Sequence, residues 1–396
     1  MKKLYYLIIL TVILGLVLTG CLLSNVGQVP TTEQSGVSGI VKSFGSINYG
    51  DITLSGGFQA GHFPEVWDLT DCDMVISFTY DANGLVDDFG GGAHAWAELG
   101  IREVGYGDFN PSAGSGVWLA TDYEWVVNTF DPDPEGAPTQ DIDDKLILQK
   151  AGGHGEADYN LPSTPPNPWA NHRVWWDRDG VDPWQNDETA NTGGIYEVVI
   201  TLHADDATSG TAYMTINGLD QGFETDGNWN TIELTPAGMT FSGDMTKMQV
   251  FYGLYGYGAT HSVAFEDITV EGCLYLFEVD LDIKPGSYPN SINLSSKGVV
   301  PVAILGSDTF DVTDVDVATL KFGPDDAIPA HDLTDTLVYA DHLQDVNNDG
   351  FTDLVCHFKT QELGLDEYNT EATLTGETYG GNPVEGTDTV NIVPKK

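Results

Sequence analysis

The stretch Asp73–Asp81, "DMVISFTYD", alternates residue by residue. Met74, Ile76, Phe78 and Tyr80 fall on one side; Val75, Ser77 and Thr79 fall on the other. A period of two with one strongly apolar side predicts a strand that buries one face. The same alternation recurs in "YEVVITLHA" (196–204), where Val198, Ile200 and Leu202 share a face, and in "TAYMTING" (211–218), where Ala212, Met214 and Ile216 do. "KMQVFYGLYGYG" (247–258) and "HSVAFEDITVEG" (261–272) read as two more strands. Turn clusters "DANG", "DDATSG" and "NGLDQG" separate these runs, and no helical period intervenes. Consecutive strands without crossover helices predict an all-β chain of antiparallel sheets packed face to face. Its length suits a large sandwich followed by a smaller sandwich-like domain.

Residues 41–273, with their closing "SVAFEDITVEG", resemble the concanavalin A-like (laminin G-like) jelly roll. The resemblance implies a last strand lying beside the first. Residues 278–396 are similar throughout to a widespread C-terminal module of secreted bacterial and archaeal proteins. The resemblance is carried by "IKPGSYPNSIN", "GVVPVAILG", "DVNNDGFTDL" and "ATLTGE", and it brings no assigned activity. "GVVPVAILG" is continuously apolar, as a central strand buried on both faces would be. Its Pro301 predicts a bulge or a strand start there.

The N-terminus addresses the compartment. "MKK" precedes the apolar run "LYYLIILTVILGLVLTG" and Cys21, the pattern of a secretory signal over residues 1–20. Leu18-Thr-Gly-Cys21 resembles a prokaryotic lipobox, which implies cleavage before Cys21 and a lipid on its sulfur. An uncleaved anchor is the alternative, and the run is short for a span needing ~20 apolar residues. Residues 21–40 read as a polar, flexible tether. The expected location is therefore the extracellular face of the cell envelope, with the membrane touched only through the lipid. Outside the cell a disulfide can persist. Cys72 and Cys273 flank the first domain and are candidates for one, although sequence does not fix connectivity. Cys356, on the apolar face of "DLVCHF", is expected to be a small buried residue and not a reactive thiol.

The formal charge is −45, which excludes nucleic acid as a partner, since that requires a basic footprint. Aromatic residues make up 11% and apolar residues 41% of the chain, enough to build cores, so this is no disordered acidic tail. The acids are left to solvate the surface, to suit high salt or to bind divalent cations.

"DVNNDGFTD" (345–353) is the sharpest acidic pattern. Asp345, Asn347, Asp349 and Asp353 take loop positions one, three, five and nine, Gly350 takes six, and the backbone carbonyl of Phe351 takes seven. An all-oxygen set with several carboxylates is the arrangement calcium prefers. Position twelve is Cys356 and not glutamate, so a helical EF-hand is excluded. The following "LVCHF" instead resembles the calcium loops between strands of integrin-type FG-GAP repeats. The alternative is an acidic turn held by Asx hydrogen bonds without an ion. The expected cofactor is calcium, in a structural role. "DRDGVD", with Asp177, Asp179 and Asp182, is a weaker acidic cluster.

Recognition points to "NPWANHRVWWDRDGVDPWQN". Trp169, Trp175, Trp176 and Trp184 supply flat apolar faces, and Asp177 and Asp179 are among the hydrogen-bonding groups interleaved with them, as sugar binding requires. Core packing of these tryptophans stands against that reading. No strand carries the paired glutamate and aspartate of a glycosidase, and neither a Gly-x-Ser-x-Gly elbow nor a paired-histidine zinc motif is found. Nothing argues positively for an enzyme. The expected function is non-catalytic binding of an extracellular glycan or a cell-surface protein. A structural or adhesive envelope role, and a polysaccharide-active hydrolase or lyase with an unrecognised site, are the alternatives.

Overall fold

The computed structural model describes residues 44–84, 94–105, 116–122, 145–150, 173–176, 194–218, 222–225, 231–234, 236, 238–257 and 260–393. The signal, the tether and Cys21 lie outside them. The first region holds β1 (Phe44–Gly56), β2 (Phe58–Trp67), β3 (Met74–Gly84), β4 (His94–Glu103), β5 (Val117–Asp122), β6 (Lys145–Lys150) and β7 (Arg173–Trp176). It continues with β8 (Ile195–Ala204), β9 (Ser209–Ile216), β10 (Gly222–Thr225), β11 (Thr231–Leu234), β12 (Gly238–Ser242), β13 (Met248–Tyr257) and β14 (His261–Cys273). They form two antiparallel sheets. One has six strands in the order β1-β14-β3-β8-β9-β12; the other has eight in the order β11-β10-β7-β6-β5-β4-β13-β2.

The alternation read in the sequence sets what lies between the sheets. Met74, Ile76, Phe78 and Tyr80 of β3, Val198, Ile200 and Leu202 of β8, and Ala212, Met214 and Ile216 of β9 are buried in one core. Ala97, Leu99 and Ile101 of β4 and Met248, Val250 and Leu254 of β13 meet them from the eight-stranded sheet. Strand β14 lies beside β1, Cys273 opposite Phe44 and His261 opposite Gly56, as the jelly-roll resemblance implied.

The second region holds β15 (Phe277–Glu278), β16 (Leu281–Ile283), β17 (Ser291–Asn293), β18 (Val299–Ile304) and β19 (Val315–Phe322). After these come a short helix α1 (Thr336–His342), β20 (Leu343–Gln344), β21 (Asp353–Lys359), β22 (Glu371–Thr378), β23 (Pro383–Thr389) and β24 (Asn391–Val393). Two four-stranded sheets, β15-β23-β22-β19 and β16-β18-β21-β20, enclose a separate core. Strand β18 is central in its sheet, as its apolar run predicted. Pro301, however, makes neither a bulge nor a strand start: it is the third residue of β18 and pairs in unbroken register with His357. The Pro301 carbonyl accepts from Lys284 N (2.8 Å). The proline nitrogen therefore points to that same edge, just past the end of β16, where no ladder donor is needed. Helix α1 has no signature in the apolar periodicity; the Asp335 carboxylate caps it by accepting from Leu337 N (2.9 Å).

Inside the first region, the loop after β2 is tied to the end of β14. Cys72 and Cys273 form a disulfide with Cα atoms 5.8 Å apart. The turn between β22 and β23 docks on the end of β2, the edge strand of the eight-stranded sheet. There Asn382 accepts from Val66 N (2.8 Å) and donates to the carbonyls of Val66 (2.7 Å) and Tyr275 (3.0 Å). The approach is so close that a Cβ on Gly380 would sit 2.8 Å from the Pro64 carbonyl oxygen. A side chain thus satisfies backbone groups that a bare sheet edge would leave open.

Candidate functional site

The acidic loop joins β20 to β21 and so sits at the tip of a hairpin. Asn348 (φ +62°) and Gly350 (φ +96°) take left-handed backbone, which lets the chain turn sharply around its own side chains. Asp345 accepts from Asp349 N (3.2 Å) and Gly350 N (3.1 Å). Asn347 Oδ1 accepts from Asp349 N (3.0 Å), and its amide nitrogen donates to Asp349 Oδ2 (2.7 Å). Asp349 Oδ1 accepts from Phe351 N (2.8 Å). Asp353 is fully buried at the base, and its two oxygens accept from Gly306 N (2.9 Å) and Val346 N (2.8 Å). It brackets the loop against the β18 end, and each oxygen keeps a second lone pair. Negative charge is concentrated here. Burial, then the carboxylates of Asp388 and Asp353, push Asp282 above the usual carboxylate range. Cys356, next in the strand, is wholly buried, and desolvation pushes its thiol up to about 12; it is the inert apolar residue expected.

Among the described residues, one group of three His, Cys, Asp or Glu side chains brings a ligating atom from each within 4.8 Å of the others. It is not the aspartate loop but His331, His342 and His357. His331 precedes α1, His342 ends it, and His357 lies in β21, so all three surround the base of the hairpin. His331 Nδ1 lies 2.9 Å from His342 Nε2, and His342 Nδ1 is hydrogen-bonded to the Val355 carbonyl. The ring centroids stand 5.0 to 5.3 Å apart. Burial, then His342 and His331, hold the His357 imidazole below its ordinary basicity. The sequence offered no signal for this trio, because its members stand eleven and fifteen residues apart without a paired motif.

In the first sandwich, alternation sends Glu98 and Arg102 of β4 to the face opposite the core, together with Phe251 of β13. All three are buried. Arg102 pairs with Glu98 (3.4 Å), and its guanidinium lies over the Phe251 ring at 3.8 Å. The tryptophan segment enters the same sheet through β7: Trp175 is in register with Ile147 and Phe223, and Trp176 with Leu146. Trp169, Asp177, Asp179, Asp182 and Trp184 lie outside the described residues.

No protein-family model matches the chain, and no curated protein matches it. Solved structures give remote matches. A PL7 alginate lyase from Zobellia galactanivorans is 10% identical over 52% of this chain and 64% of that one, with a TM-score of 0.23. This chain thus spans less than two thirds of that lyase. Winged bean acidic lectin, complexed with methyl-α-D-galactose, is 8% identical over 59% of this chain and 99% of that one, at 0.32. An alginate lyase from a Chlorella virus is 10% identical over 55% and 93%, at 0.20. The sandwich described above rests on this chain's own strand pairings.

Proposed function

We propose that the chain is an exported, lipid-anchored protein whose first sandwich binds an extracellular glycan without transforming it. Its second sandwich is a calcium-stiffened spacer. The observation that carries the reading is the register of the eight-stranded sheet: Trp175 pairs with Ile147, Ile147 with Ala120 and Ala120 with Glu98, which puts Trp175 on the side away from the core. On that side the Glu98–Arg102 pair is buried against Phe251 and stiffens the sheet that β7 enters. Flat apolar surface beside fixed hydrogen-bonding groups is what sugar rings demand. The disulfide supports an oxidising compartment. The second sandwich's loop already gathers Asp345, Asn347 and Asp349 around one turn, a donor set that fits a hard divalent ion. Such an ion would also offset the Asp353 carboxylate, which after burial and Asp388 is the last of the causes that raise Asp282.

The test is a glycan array probed with the mature chain in calcium, followed by titration of any hit. Trp175→Ala and Trp184→Ala are expected to weaken binding by about tenfold or more, corresponding to ~1.4 kcal/mol or more. An empty array, or a hit indifferent to both changes, overturns the glycan reading. Release of reducing ends or of unsaturated uronate from a polysaccharide hit shows catalysis instead.

A further inference from the structure

We propose that His331, His342 and His357 form a binding site for a divalent transition ion of the zinc class, separate from the aspartate loop. Three observations carry it. First, one nitrogen from each ring already lies within 4.8 Å of the others, and His331 Nδ1 is 2.9 Å from His342 Nε2. Two imidazoles on a tetrahedral zinc, at ~2.0–2.1 Å each, hold their nitrogens about 3.3 Å apart, so the His331–His342 pair needs only a small spreading to admit the ion. Second, His342 donates Nδ1–H to the Val355 carbonyl. That bond fixes the tautomer and leaves the Nε2 lone pair facing the cluster. A ligating histidine characteristically binds a backbone carbonyl through its other nitrogen in this way. Third, His357 Nδ1 is buried and has no hydrogen-bond partner. A self-contained histidine network would satisfy it; the network seen here does not.

The donor chemistry chooses the ion. Three neutral nitrogens suit zinc, and also copper or nickel, whereas calcium takes oxygen. His331 is exposed, which gives the ion a way in and leaves a fourth position to water. Bound, the ion would join the segment before α1, the end of α1 and strand β21. That clamps the base of the hairpin whose tip carries the aspartates.

The experiment titrates the full mature chain with zinc against a chromophoric chelator in excess calcium, and follows melting in parallel. One zinc per chain and a raised melting temperature are expected. His331→Ala removes an exposed ring. His357→Phe keeps the ring volume and removes its nitrogens. Each should weaken zinc binding at least about tenfold, since even loss of an outer partner of a ligand costs 10–100-fold, while circular dichroism shows the fold retained. Asp345→Ala should bind zinc as the parent does. No zinc uptake, or uptake by both histidine variants equal to the parent's, overturns the proposal. So does uptake lost in Asp345→Ala, which would move the ion to the carboxylates.

Discussion

Asn382 shows how much can rest on one side chain. It is almost wholly buried and makes three hydrogen bonds to backbone of the first sandwich. Asn382→Ala takes the partner from the Val66 N–H and the Tyr275 carbonyl, while the Val66 carbonyl keeps Tyr275 N (2.9 Å); each buried orphan costs about 1–3 kcal/mol. A loss of at least that size in chemical denaturation is expected. Asp311 gives a pH signature. Its carboxylate accepts from Thr313 N (2.9 Å) and Thr313 Oγ1 (2.7 Å), and these bonds hold it below the usual carboxylate range. A depressed folded pKa means stabilisation that is present above the unfolded value and lost as pH falls through the folded one. Asp311→Asn should therefore lose less stability on acidification from about pH 6 to about pH 3 than the parent does. An identical acid profile in the two proteins would refute this role. None of these residues was legible in the sequence. Asn382 lies beyond a Gly-Gly turn, and its partners are 316 and 107 residues away.

Strands were legible where one face is buried, because the pleat forces a period of two into the sequence. β3, β8 and β9 are the clear cases. Pro301 was misread because its permission to sit mid-strand depends on where the neighbouring β16 stops, a tertiary fact. Helix α1 is too short for a period and stands on its cap. The aspartate loop was legible as a pattern; its bracket, Asp353 against Gly306, was not. For this element, Asp345→Ala and Asp349→Ala should abolish any calcium-dependent rise in melting temperature. A rise unchanged in both variants would remove the ion from the loop. The disulfide acts on the element scale too. It closes a loop of 201 residues, so Cys72→Ser should cost about 2–5 kcal/mol by freeing the unfolded chain, measured by denaturation without reductant.

Among the described residues, two separate hydrophobic cores meet where a hairpin tip from the second docks on the edge strand of the first. Close approach at Gly380 makes that seam sensitive to bulk. Gly380→Val should disturb the docking while sparing both cores, and one calorimetric transition should divide into two. A single undivided transition would show that the seam does not couple them. The large-scale division was legible from the changing pattern along the chain. The seam was not, because it is built from one turn and an edge strand distant in sequence.

The antiparallel pairing of β1 with β14 puts Phe44 directly opposite Cys273. Tension applied between those two residues would therefore pull at the same end of the ribbon. Hydrogen bonds across such a ribbon run perpendicular to the strands and would give way in succession, as in a zipper, instead of resisting together in shear. The bridge from Cys273 to Cys72 carries part of any such pull past β14 and into the loop ahead of β3. Under load the first sandwich should behave as a compliant link with a covalent stop.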